Sequence, residues 1–238
     1  MSEQYPRFVF PEHLPPSLSD SAVIAAHDWS AFCEVDVLTD HWDRPDWPLG
    51  RCSYHWFITL GDQPALIDLA QRCQQALVAF GLDPVAPESL HLTLCRVAFT
   101  DEMSEEQARS VAEAARQRVG APGSLRLTIG PLAGSPGAVR LSVSPWEALL
   151  ELHDRLIETR AAVFASPAGT SRFRPHVGIA YGNRTMPASP LRRAMEPLRR
   201  LSPVQVTAGA AHLVILRRED HAYRWERFET LCLTRQTL

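Results

Sequence analysis

Two segments of the sequence, His91-Leu92-Thr93-Leu94 and His176-Val177-Gly178-Ile179, constrain the fold more than any other feature. Each places a histidine at the head of an apolar alternation, the pattern of a strand with one face in a core. Side chains i and i+2 of a strand share a face. His91 and Thr93 therefore point one way, while Leu92 and Leu94 point into the core. In the second segment His176 and Gly178 share a face, opposed by Val177 and Ile179. The segments lie 85 residues apart, so each belongs to its own half of the chain. Two imidazoles converging from two halves are the minimum equipment for metal-free acid–base chemistry on a phosphate. Gly178 withholds the hydroxyl that Thr93 supplies.

The rest of the pattern divides into two parts. Residues 1–50 are rich in proline and aromatics, including Phe10, Trp29 and Phe32, and show no sustained periodicity. They read as an irregular extension packed on the body, with a short helix near 21–32. Residues 51–238 read as a single bilobed domain. Strands are expected at 54–60, 90–98 and 173–181. A helix from Pro64 to about residue 80 has the proline in its first turn and Gly81 past its end. A second, over 104–119, opens on a Ser104-x-x-Gln107 capping box. A hairpin at 125–130 and 138–143 turns around Gly134–Gly137, a long helix covers 145–165, and a short basic helix covers 190–201. The chain closes with strands at 204–207, 212–217 and 225–233. This order looks like an approximate duplication. It predicts an α+β fold, with two antiparallel sheets facing a central cleft and helices outside.

Composition narrows the function. A length of 238 residues suits one bilobed unit. A net charge of −3 excludes a broad nucleic-acid-coating surface but not a local cleft for a nucleotide or RNA end. All 24 basic residues are arginine, so no lysine nucleophile is available. The five cysteines are scattered and never form C-x-x-C, which argues against a disulfide framework or a cysteine zinc site and for a reducing cytoplasm. The start of the sequence lacks a signal-peptide pattern, and no apolar run nears the roughly 20 residues that span a bilayer. A cytoplasmic monomer with no membrane partner is expected. The run from Asp40 to Asp46, which includes His41, reads as a solvated loop rather than a metal site.

A single H-x-[S/T] match carries little weight in a chain with nine histidines. The matched place of His176, and the guanidiniums of Arg172 and Arg174 beside it, carry more. Together with Leu82-Asp83-Pro84-Val85, Phe99-Thr100-Asp101-Glu102, Phe173-Arg174-Pro175-His176-Val177, Ala180-Tyr181 and Tyr223-Arg224-Trp225-Glu226, the paired segments resemble the 2H phosphoesterase superfamily. That superfamily includes 2′-5′ RNA ligases and 2′,3′-cyclic phosphodiesterases, and the likeness is to an actinobacterial-type branch. It covers about residues 41–234. The resemblance implies that His91 and His176 act as general acid and base, and that Thr93 holds the phosphate. Position 178, where the family has Ser or Thr, departs from the pattern.

The expected catalytic residues are thus His91, Thr93 and His176, with no metal and no cofactor. Gly178 lets a phosphate approach the backbone, and Arg174 is a candidate charge. Tyr181 matches a family tyrosine, yet strict alternation points it away from His176 unless the strand bends. Tyr54 and Trp56 are candidates to stack a base, as are Tyr223 and Trp225. Cys95 shares the face of His91 and Thr93 by alternation. The basic face formed by Arg192, Arg193, Arg199 and Arg200 reads as solvated. The expected partner is a small nucleotide or an RNA end carrying a cyclic phosphate. The alternative is a nucleotide or RNA-end binding module whose chemistry is weakened or lost through Gly178.

Overall fold

Both histidine segments are strands, each paired antiparallel with the strand that precedes it across a helix. The computed structural model describes residues 9–164 and 173–234. Arg172 and residue 165, named above, lie outside the described residues. The elements run α1 (Ser21–Cys33), β1 (Val37–Leu38), β2 (Ser53–Thr59), α2 (Pro64–Ala76), β3 (Asp83–Pro84), β4 (His91–Phe99), α3 (Glu105–Val119), β5 (Leu125–Ser135) and β6 (Ala138–Ser144). They continue with α4 (Glu147–Phe164), β7 (His176–Tyr181), β8 (Met186–Pro187), α5 (Ala188–Leu198), β9 (Val204–Ala208), β10 (Ala210–Glu219) and β11 (Ala222–Cys232). One sheet is ordered β11-β10-β2-β4, the other β3-β7-β6-β5-β9, and β1 pairs with β8. Every pairing is antiparallel.

The expected duplication is visible in these orders, since β10-β2-β4 in one sheet corresponds to β5-β6-β7 in the other. The helices are exchanged between halves. α4, which links β6 to β7, packs against β4 and α3, whereas α2, which links β2 to β4, packs against β7 and β9. Each half therefore lends a helix to the other half's sheet, and the main core draws on both halves, with a smaller cluster of Trp47, Phe57, Phe99, Val214 and Leu216 beside it.

Local chemistry sets the helix ends. Ser104 and Gln107 form the expected capping box, with Glu105 and Glu106 in the first turn of α3 and Arg116 and Arg118 in its last, the arrangement a helix dipole favours. The Asp20 carboxylate accepts from the Ala22 and Val23 amides and starts α1. α2 ends at Ala76, earlier than expected, because its last turn tightens into a 3-10 turn at Val78–Phe80 that closes on Gly81 with φ 61°. In α5 the arginines are not all solvated. Arg192 donates to the carbonyls of Cys33 and Val35, at the end of α1 and just beyond it, and Arg199 donates to the Leu132 carbonyl.

Strand register corrects three expectations. On β2, Tyr54, Trp56 and Ile58 face the core, where Tyr54 is 2% and Trp56 0% exposed. Neither ring is open to a base, because the face turned toward the site carries Ser53, His55, Phe57 and Thr59 instead. Cys95 also leaves the face of His91. It is paired with Trp56 because β4 carries an extra residue, Leu94, after Thr93, and burial pushes its thiol up to about 12. Truncating Trp56 to alanine is expected to cost about 3–5 kcal/mol, measured as a fall in the denaturant midpoint. An unchanged midpoint would contradict its place in the core.

Candidate active site

The two histidines are held in the same way. His91 Nδ1 lies 2.7 Å from the Ser89 carbonyl and His176 Nδ1 lies 2.7 Å from the Arg174 carbonyl, in each case the carbonyl two residues upstream. A carbonyl only accepts, so Nδ1 carries the proton in each neutral ring. Nε2 is left as the nitrogen that exchanges protons. The His91 ring stacks on Phe57 at 4.1 Å between centroids, with the planes 16° apart.

Pairing fixes which neighbours share their faces, since residues directly opposite on antiparallel strands point the same way. His91, Thr93 and Arg96 lie opposite Thr59, Phe57 and His55 of β2. On β7, His176 lies opposite Ser142, Gly178 opposite Arg140, and Tyr181 opposite Ala138. The partner strand supplies only Val139 and Arg140 opposite the three residues from Gly178 to Ala180, so Ile179 is a bulge. A bulge inserts one residue and reverses the alternation beyond it. It thereby brings Tyr181 round to the face of His176, the bend on which its place depended. Both strands carry the extra residue at the fourth position of their motif, Leu94 in one and Ile179 in the other. The residue five places after each histidine, Arg96 or Tyr181, joins the histidine's face.

Around this pair the structure assembles groups the sequence did not single out. Arg140 is 2% exposed and its guanidinium Nη2 lies 3.5 Å from Asp28 of α1. The same carboxylate accepts from Ser142 Oγ at 2.7 Å. The strict alternation Val139-Arg140-Leu141-Ser142-Val143 was a sequence signal for a buried cation on the polar face, but nothing in the sequence tied it to Asp28. His41 stacks on Tyr181 at 4.2 Å and 23°, and its Nε2 lies 2.9 Å from the Tyr223 hydroxyl. Trp42 packs on Tyr181 and Tyr223. Arg218 donates to the carbonyls of Trp42 and Trp47, and His221, at the tip of the β10–β11 hairpin, bonds to Asp83 at 2.9 Å. That hairpin therefore reaches across to the second sheet, and the loop with His41, expected to be solvated, forms an aromatic wall. Arg174 is corrected. Its Nε, Nη1 and Nη2 donate to the carbonyls of Pro11, Phe173 and Glu12, so it fastens the N-terminal segment rather than presenting charge to a substrate.

With paired histidine strands on facing sheets established, likeness to known proteins becomes informative. The family model described as the 2′-5′ RNA ligase superfamily matches residues 39–221. The chain belongs to that superfamily. Among solved structures, TT0787 of Thermus thermophilus superposes with a TM-score of 0.56 at 19% identity, covering 79% of this chain and 100% of that one. E. coli LigT in apo form gives 0.57 at 16% identity, covering 78% and 99%. LigT complexed with 3′-AMP gives 0.56 at 16%, with coverage of 78% and 99%. These likenesses are of fold, the 2H phosphoesterase type. No curated protein matches the chain significantly. Within the superfamily fold, α1 and its Asp28 lie outside the matched residues.

Superfamily histidines in this chain are strongly depressed. Burial lowers His91 from 6.5 to about 4, partly opposed by its bond to Ser89. Burial, reinforced by the Arg140 charge, lowers His176 from 6.5 to about 3. A charge on His91 would lower His176 further, which places the rings in electrostatic reach. Both shifts favour the neutral ring at pH 7. Below pH 6.5 the unfolded chain binds protons that the folded chain refuses, so stability is lost as pH falls from about 6.5 through about 4 toward 3. Replacing either histidine by glutamine is expected to flatten the thermal midpoint against pH over that window. Parallel curves for wild type and variants would contradict the assigned burial.

Proposed function

We propose that the chain is a metal-independent phosphoesterase acting on 2′,3′-cyclic phosphates of nucleotides or RNA ends, with 2′-5′ ligation as a related activity. The observation that carries this is the matched pair of Nδ1-anchored imidazoles, His91 and His176, on two facing sheets. Membership of a superfamily of phosphoesterases and ligases supports it, as does the 3′-AMP complex of LigT. A phosphate brings the negative charge that the buried cleft lacks, and an opposite charge within a few ångströms favours the protonated ring. One imidazole can then hold a proton while the other stays neutral.

In the hydrolytic step the neutral Nε2 takes a proton from water as the water oxygen bonds to phosphorus. The bond from phosphorus to one ribose oxygen breaks, and the protonated Nε2 of the other histidine gives its proton to that oxygen. The product is a phosphomonoester, and the two rings have exchanged protonation states. A 5′-hydroxyl in place of water gives ligation by the same transfers, with the 3′ oxygen leaving. Thr93 is the side-chain donor for the non-bridging oxygens. Trp225, which lines a groove with Glu88, Ser89 and Arg224 beside the His91 anchor, takes the base-stacking role that Tyr54 and Trp56 do not fill.

Gly178 favours a second reading, a binder of nucleotides or RNA ends without chemistry. Incubation with the four 2′,3′-cyclic mononucleotides and a short RNA ending in a cyclic phosphate, in the presence of EDTA, separates the two. Turnover is expected, falling by about 10²–10⁴ in His91→Ala and in His176→Ala. Turnover that survives both substitutions would overturn the mechanism, and binding without turnover would establish the binder.

A further inference from the structure

The second motif lacks a hydroxyl where the first has Thr93, and the structure shows what occupies the vacated space. A Cβ added to Gly178 would lie 3.2 Å from the Tyr181 hydroxyl oxygen and 3.5 Å from two atoms of its ring. The phenol thus stands over the position from which a serine or threonine hydroxyl would project. Its ring cannot easily retreat, because it stacks on His41 at 4.2 Å and meets Trp42 and Tyr223 at 5.3 and 5.4 Å. Tyr181 is 8% exposed. The glycine answers no backbone need, since it is absent from the positive-φ glycines. It answers a need for space.

We infer that Tyr181 supplies, from three residues further along β7, the phosphate-binding hydroxyl missing at Gly178. The Ile179 bulge is what makes this reachable, because without it Tyr181 would point into the core. Glycine at 178 and tyrosine at 181 are two parts of one arrangement, as a side chain at the first would displace the oxygen of the second. The inference rests on the phosphoesterase reading above and specifies its second hydrogen-bond donor. A phenol is an O–H donor like threonine, so the two strands present equivalent chemistry from different positions.

The test is a cycle of Tyr181→Phe, Gly178→Ser and the double variant, assayed for turnover of 2′,3′-cyclic nucleotides and for calorimetric binding of 3′-AMP. Tyr181→Phe keeps the stacked ring, so its thermal midpoint should match wild type. Its turnover should fall by about 10²–10³, the usual loss for one preorganised donor, with the pH profile unmoved. Gly178→Ser alone is crowded by the phenol and should gain nothing. The double variant, with the phenol oxygen gone and a serine hydroxyl in its place, should recover at least tenfold over Tyr181→Phe. Tyr181→Phe with wild-type turnover, while the histidine variants are dead, would overturn this inference and leave the phosphoesterase reading standing. Wild type that binds 3′-AMP without turnover would overturn the catalytic reading alone if Tyr181→Phe weakens binding and the serine restores it. Absence of both binding and turnover in wild type would overturn both.

Discussion

The cleft is organised by an extra residue at the same place in each histidine strand, the fourth position of its motif. A regular strand shows the same face every second residue, which would give each motif a histidine, one neighbour and nothing further of use nearby. Leu94 and Ile179 break that alternation directly after Thr93 and Gly178. Each bulge costs a rung of the ladder and redirects the residues that directly follow it. Arg96 joins His91, Tyr181 joins His176, and Cys95 is turned into the core. Because the two strands belong to different sheets, the same local device acts twice and equips both sides of the cleft.

Burial does the electrostatic work around this device. Among the described residues neither histidine has a carboxylate on its Nδ1, only a backbone carbonyl two residues upstream. Such a partner fixes the tautomer and ring orientation without offering a counter-charge. Arg140, paired with Asp28, adds a positive charge on the His176 side. Burial and the Arg140 charge therefore favour two neutral rings. The wall of His41, Trp42, Tyr181 and Tyr223, fastened by Arg218 and by the His221–Asp83 bond, joins the sheets on one side and keeps the Tyr181 ring in place.

Much of the architecture was legible because alternation and capping are local. The capping box of α3, the 125–144 hairpin and both histidine strands could be read from spacing alone. So could the α+β order, since it follows from the sequence of periodicities. The misplaced residues have a shared cause. Tyr54 and Trp56 looked available for stacking because a strand's pattern does not say which of its two faces is the core when both carry aromatics. Cys95 and Tyr181 were assigned by strict alternation, which a bulge reverses. Arg174 looked like a free cation because the carbonyls that bind two of its nitrogens, those of Pro11 and Glu12, lie some 160 residues upstream.

By itself the sequence determined that two histidine-headed strands exist, that each turns its histidine away from a leucine- or valine-lined core, and that the second lacks a hydroxyl at position 178. Those facts depend on residues within a few positions of each other. Only the tertiary structure decided that the missing hydroxyl's place is filled by Tyr181, that Asp28 reaches Arg140 and Ser142, and that His41 braces the wall. Each of those depends on which residue of a partner strand or helix stands opposite. A one-residue bulge changes that pairing for every residue beyond it, and local propensity leaves it undetermined.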